Sequence, residues 1–162
     1  MENPKDPGAY RWRKHNPGRV LNNAVRRFEE RVMALMSDAG HARTRLSHVN
    51  LTRHLDLEGT RITELAKRAS ITNSAMTELI DQCEVLGLVE RVPDVLDKRV
   101  RIVRFTSDGR EWLAAFGRAV VEAEAEMAQE LGPRCMKMLM TDLADYGAAM
   151  DDGSTGLLQH PA

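Results

Sequence analysis

Aromatic residues are scarce in this chain, at 4% of its 162 residues. A core must therefore be filled by aliphatic side chains and by the 9 methionines, whose flexible thioethers fill irregular gaps. Cysteine is nearly absent, and Cys83 and Cys135 cannot build a disulfide-stapled fold. No apolar run is long enough to span a bilayer, and no signal peptide opens the chain. A cytoplasmic address without a membrane partner is the expectation. Net charge is only −1, which argues against a generic polyanion binder. There is no nucleophile elbow, no phosphate-binding glycine loop and no obvious acid/base pair. An enzyme is not expected, and no cofactor is implied. His41, His48 and His54 are spaced by seven and six residues, not by the i, i+4 step that lets a helix hold a metal. No metal site is expected, and no internal repeat is present.

What the chain does have is an uneven distribution of charge. Residues 7–28 carry Arg11, Arg13, Lys14, Arg19, Arg26 and Arg27 and no acid. Residues 91–104 carry Arg91, Lys98, Arg99, Arg101 and Arg104 against Asp94 and Asp97. From Val120 onward acids dominate, with only Arg134 and Lys137 as bases. Such a molecule can set one face on phosphate and keep the rest away.

Hydrophobic periodicity supplies the elements. Val20, Ala24, Phe28, Val32, Leu35 and Met36 recur at steps of three and four, predicting a helix from Arg19 to a stop at Gly40. A second helix is expected over 44–55, with Leu46, Val49 and Leu55 inward. Thr63 is a candidate N-cap for a helix over 64–69 that buries Leu65, Ala66 and Ala69. After the turn Ser70-Ile71-Thr72, Thr72 caps a helix over 73–86. Its buried residues are Met76, Leu79, Ile80 and Cys83, and Gly87 follows as the C′ residue.

Residues 88–92 and 100–105 are strand-like, and Pro93, Asp94 and Asp97 between them are turn formers. Two strands so joined make a hairpin directly after the 73–86 helix. Thr106 caps a long helix over 107–131 with a stripe of Leu113, Phe116, Val120, Ala123, Met127 and Leu131. A stripe of this length can serve an internal core or an intermolecular seam. Gly132-Pro133 breaks it, and a last helix over 133–150 presents Met136, Leu139, Met140, Leu143 and Met150.

Two short helices at a tight turn followed by a basic hairpin describe a winged helix-turn-helix, a device for reading duplex DNA. The pieces ITELAKRA, SAMTELID, LGLVER, the triplet Asp97-Lys98-Arg99 and FTSDGR make residues 62–110 resemble the multiple-antibiotic-resistance-regulator (MarR) family of bacterial transcription factors. Flanking helices extend the resemblance to about residues 19–150.

The resemblance implies a mainly α fold with a small β-hairpin wing, a winged helix-turn-helix joined to a helical dimerisation region. On that basis residues 1–18 are an irregular arm. The winged helix-turn-helix spans about 45–106, and the dimerisation helices span about 19–40 and 107–150. Residues 151–162 form a disordered tail. The family implies a homodimer, often a repressor released by a small ligand. The expected function is a DNA-binding transcriptional regulator on a near-palindromic operator. The alternative is a winged-helix protein-interaction module without sequence-specific DNA binding.

A recognition helix offers its early residues to base edges. Here these are Thr72, Asn73, Ser74, Ala75 and Thr77. Asn73 can read adenine with two hydrogen bonds, and Ala75 can touch a thymine methyl group. The chain departs from the family at Glu78 and Gln82, where members often carry basic residues. In the wing, Asp97 and Arg99 are two apart and share a side if the segment is extended. By resemblance Arg99 enters a minor groove and Asp97 braces it, while Lys98 and Arg101 meet phosphate. The family's ligand pocket lies where the lobe joins the dimer helices. Trp12, His41, Arg45, His48 and Arg53 are the candidates to line it. A basic lining would suit an anionic aromatic ligand.

Overall fold

The computed structural model describes residues 10–151, with side chains through residue 148. Pro4, Pro7 and Gly8 of the arm, the tail beyond residue 151 and the side chain of Met150 lie outside the described residues. The helices are α1 (Pro17–Met36), α2 (Leu46–His54), α3 (Ile62–Arg68), α4 (Asn73–Val85), α5 (Ser107–Leu131) and α6 (Pro133–Asp151). The strands are β1 (Thr60–Arg61), β2 (Val89–Pro93) and β3 (Arg101–Phe105). Two units divide the chain between Val121 and Glu122, within α5.

In the first unit, α1 begins two residues before Arg19 because Asn16 and Pro17 make a strong start. The Asn16 carboxamide oxygen accepts the Arg19 amide at 3.0 Å, and proline at the first helical position gives up no needed donor. The expected stripe is buried only at its end. Val32 and Met36 are enclosed, whereas Val20 is 64% exposed. A π-helical turn, Ser37–His41, follows and includes Gly40 at φ +92. Helix α2 starts at Leu46 rather than Thr44. Thr44 is instead buried as the acceptor of the Trp112 indole N–H at 3.0 Å. That later start shifts the inward face to His48, Val49, Leu51 and Thr52 and leaves Leu46 exposed.

A third strand was not expected from the sequence. Thr60 and Arg61 pair antiparallel with Val103 and Ile102, giving the sheet order β1-β3-β2. A two-residue strand is too short to show a period. Its presence makes Arg61, not Thr63, the residue that precedes α3. On the other side, Val89 faces Phe105, Arg91 faces Val103 and Pro93 faces Arg101. Helices α2, α3 and α4 pack with the sheet around Leu51, Leu65, Met76, Ile80, Cys83 and Val103, each at 0% exposure. Each larger apolar side chain so enclosed contributes roughly 1.5–3 kcal/mol. Ala69 and Leu79 are only half-buried.

Helix α4 ends as its glycine requires. Gly87 has φ +74; its amide donates to the Glu84 carbonyl, and the Leu88 amide donates to the Cys83 carbonyl, each at 2.9 Å. These two bonds close a Schellman motif. The start of α5 docks on it. The Thr106 amide donates to the Leu88 carbonyl at 3.1 Å, its hydroxyl donates to the Gly87 carbonyl, and the same oxygen accepts the Gly109 amide at 2.9 Å. A Cβ on Gly109 would lie 1.8 Å from the Leu88 carbonyl oxygen.

Further along α5 the buried row is Trp112, Ala115 and Ala119, one step away from the expected Leu113, Phe116 and Val120, which are half-buried. Trp112 is held inward by its bond to Thr44 and stacks on Phe116 with ring centroids 5.2 Å apart.

In the second unit, Gly132 at φ +84 and Pro133 separate the end of α5 from α6. Ala123 and Met136 are buried. Leu131, Met140 and Leu143 of the apolar stripes are exposed, as are Met138 and Tyr146. An amphipathic stripe fixes which residues share a face, not what covers that face.

The Gly109 contact yields a stability test. Gly109→Ala forces a backbone shift and is expected to destabilise the protein by about 3 kcal/mol in denaturant titration. Gly117→Ala, in the same helix but with open space around it, is expected to gain up to about 1 kcal/mol.

Candidate nucleic-acid interface

Helices α3 and α4 meet through a second Schellman turn. The Ile71 amide donates to the Ala66 carbonyl at 3.0 Å and the Ser70 amide to the Lys67 carbonyl at 3.1 Å. Ser70 takes φ 55 there, a conformation that favours glycine. Thr72 then caps α4, its hydroxyl accepting the Ala75 amide at 3.1 Å. The Thr77 hydroxyl turns back to the Asn73 carbonyl at 2.8 Å. The exposed side chains of Asn73 and Ser74 make no hydrogen bond among the described residues, while Ala75 is half-buried. Glu78, also exposed, shares this solvent-facing side of the helix.

The wing sorts its five cations. Arg91 is committed to α4, reaching Asp81 at 2.6 Å and the Glu84 carboxylate. Arg104 pairs with Glu90 across the strands at 2.8 Å. Among the described residues Lys98, Arg99 and Arg101 have no ion-pair partner, and all three are exposed. Sequence counting could not separate these groups, because it does not show which acids lie within reach.

The loop between the strands is a pair of turns rather than an extended segment. Asp97 therefore does not lie beside the Arg99 guanidinium. Its carboxylate accepts the Arg99 backbone amide at 3.0 Å, and its carbonyl accepts the Val100 amide at 2.9 Å. An aspartate bonding two residues ahead stabilises a turn in this way.

The second anchor is Asp94, a turn former by sequence and a buried carboxylate in the structure. Its amide donates to the Val100 carbonyl at 2.9 Å. Its carboxylate accepts the Leu96 amide and the Arg61 guanidinium, each at 2.9 Å. The Leu96 amide first, and Arg61 second, hold this carboxyl below the usual carboxylate range. Arg61 escaped sequence reasoning because its strand did.

A cleft of about 480 Å³ opens between the start of α2 and the last turns of α4. Arg43, Arg45 and His48 line one side, and Asp81, Gln82, Val85 and Leu86 the other. His48 Nδ1 accepts the Arg45 amide at 3.1 Å, so in the neutral ring Nε2 carries the proton and donates it to the Gln82 carboxamide oxygen at 3.1 Å. Of the five candidate ligand residues, the structure brings together only Arg45 and His48. Trp12 is 65% exposed on a 3₁₀ turn. His41 is half-buried in the π-helical turn, and Arg53 pairs with Glu29 of α1 at 3.4 Å.

Buried Cys83 is a core thiol, its pKa pushed up to about 11 by burial. Cys135 is exposed. Among the described residues no group of His, Cys, Asp and Glu is placed to hold a metal ion, and no helix is long and apolar enough to cross a membrane.

A helix-turn-helix followed by a hairpin that completes a three-stranded sheet defines the fold as a winged helix-turn-helix. Comparison places it more narrowly. Residues 44–100 match the model of the MarR family. Wild-type MarR from E. coli, in its apo form, superposes with a TM-score of 0.67 at 21% identity, over 82% of this chain and 97% of that one. The transcriptional repressor CouR, bound to a 23-mer DNA duplex, gives 0.65 at 22% identity, over 85% and 96%. The regulator BldR from Sulfolobus solfataricus gives 0.54 at 25% identity, over 79% and 89%. No curated protein sequence matches the chain. The likeness to these solved structures shows the fold, and the match to the MarR family covers residues 44–100 of the chain.

The wing anchor generates a pH test. The Asp94 carboxyl has a lowered folded-state pKa, so its contribution is present above the ordinary value of 3.8 and is lost as pH falls through the lowered one. Asp94→Asn is expected to be less stable than the parent at neutral pH. The two proteins should converge as acid protonates Asp94, measured by thermal melting across the acid range.

Proposed function

We propose that the chain is a non-enzymatic, DNA-binding transcriptional repressor acting as a homodimer. The observation that carries this reading is the coincidence, in one lobe, of an open polar edge on α4 with three wing cations that form no ion pair among the described residues. In this reading Asn73 and Ser74 meet base edges. Thr72 and Thr77 hold the helix end and approach the backbone, and Ala75 lies against a base methyl. Lys98 and Arg101 meet phosphate. Arg99 enters the minor groove from the turn that Asp97 closes, where it reads groove width more than sequence. The exposed apolar residues of α6, Met138, Met140 and Leu143 among them, supply a surface for a second chain. Two such lobes about 34 Å apart meet successive major grooves on one side of the duplex, hence a near-palindromic operator.

Selection of genomic fragments by the purified protein tests the reading; recovery of no preferred sequence would end it. On a selected duplex, Arg99→Ala is expected to reduce the slope of log K against log salt by about one contact. Asn73→Ala is expected to weaken binding by about tenfold and to relax preference at one base position. Unchanged affinity in both variants would count against these roles. The exposed Glu78 carboxylate favours a second reading, a winged helix that pairs with proteins. A gel shift that fails at low salt would support it.

Repression in this proposal is relieved by an anionic aromatic ligand in the cleft between α2 and α4. Arg43 and Arg45 supply the positive charge there, while the His48–Gln82 bond ties the cleft to the recognition helix. A panel of phenolic acids is expected to raise the melting temperature of the parent and not of Arg45→Ala. No shift with any compound would remove the ligand from the proposal.

A further inference from the structure

The wing tip carries a feature that base and phosphate contacts leave unused. Val95 and Leu96 are 94% and 93% exposed, although they are adjacent aliphatic residues. Isolated exposed apolar residues are ordinary on a protein surface. Here the backbone that displays them is pinned. The Asp94 amide is held by the Val100 carbonyl, the Leu96 amide by the Asp94 carboxylate, the Arg99 amide by the Asp97 carboxylate and the Val100 amide by the Asp97 carbonyl. Arg61 anchors Asp94 from β1, at the far edge of the sheet, at 2.9 Å. The ordering entropy of the loop is therefore met within the fold, before any partner arrives.

The chemistry around the tip selects the partner. Both loop carboxylates are engaged by N–H donors, whereas Lys98, Arg99 and Arg101 lack ion partners among the described residues. The surface offered is thus two aliphatic side chains beside uncompensated positive charge. An apolar protein groove would leave those cations unpaired, but a nucleic-acid duplex answers both parts. Phosphates line the rim of a minor groove about 6 Å wide, and aliphatic side chains entering it can part a base step and kink the axis.

We propose that Val95 and Leu96 form an apolar wedge that enters the minor groove beside Arg99 and bends the bound DNA. The proposal rests on the DNA-binding reading above. The wedge makes flexible pyrimidine–purine steps the favoured sequence under the tip, since these unstack most easily. Specificity then arises at a position where no hydrogen bond reads a base.

The test uses the full-length protein and a duplex that it selects from a random-sequence pool. Bending is read from the mobility of circularly permuted fragments, and affinity from titrations at several salt concentrations. Val95→Ser/Leu96→Ser is expected to bind roughly tenfold more weakly, as for loss of a partly buried aliphatic contact. It should also bend the duplex less, with the salt slope unchanged because no charge is removed. Leu96→Met should retain the bend. Parental bending in the double serine variant overturns the wedge whatever its affinity, while leaving DNA binding intact. If the parent selects no duplex, the DNA-binding reading fails and the wedge falls with it.

Discussion

The carbonyl oxygen of Leu88 and the bare Cα of Gly109 meet where no side chain fits, and the geometry of the lobe follows from that contact. Helix α4 has just ended in a Schellman turn at Gly87, and Thr106 locks the first turn of α5 onto the Gly87 and Leu88 carbonyls. The end of α4 and the start of the long helix α5 are thereby joined directly. Trp112 adds a second tie from α5 to the start of α2. Within the first unit, α5 cannot shift along its axis without disturbing the end of α4.

Electrostatics in this protein is decided by neutralisation at short range rather than by net charge. A formal charge of −1 would suggest indifference to phosphate. The acids of α4 and β2, however, consume Arg91 and Arg104, while the two loop carboxylates are turned onto backbone amides. What remains open on the wing is cationic. The same acids that lower the total charge fix the hairpin to α4, so the unpaired cations are displayed from a braced element. Surface ion pairs contribute little to stability one at a time; here their effect is on which charges stay available.

Much of the fold was legible from the chain because its signals are local. Thr72 and Thr106 act through their own hydroxyls, and Gly87, Gly132 and Pro133 through their own backbone conformation, so they marked the ends of α4, α5 and α6 closely. The inward set Met76, Ile80 and Cys83 followed from a period of three and four. Signals that depend on distant partners were not legible. β1 exists because β3 lies beside it. Leu46 faces outward because Thr44 is held by an indole 68 residues away. In α5 the buried row lies one step from the expected one, at Trp112, Ala115 and Ala119, because Trp112 is held inward by distant Thr44. The same division holds for the site. The polar start of α4 and the cationic wing could be read directly. The roles of Arg61 and Asp94, and the meeting of His48 with Gln82, required the fold.

The two tryptophans stand in opposite surroundings. Trp12 is 65% exposed and Trp112 is 1% exposed, with its indole N–H held by Thr44. Their emission should therefore differ in wavelength and in access to quenchers, giving the protein two native optical probes. The buried one sits at the tie between α5 and α2, so its spectrum reports any loosening of that tie without an attached dye.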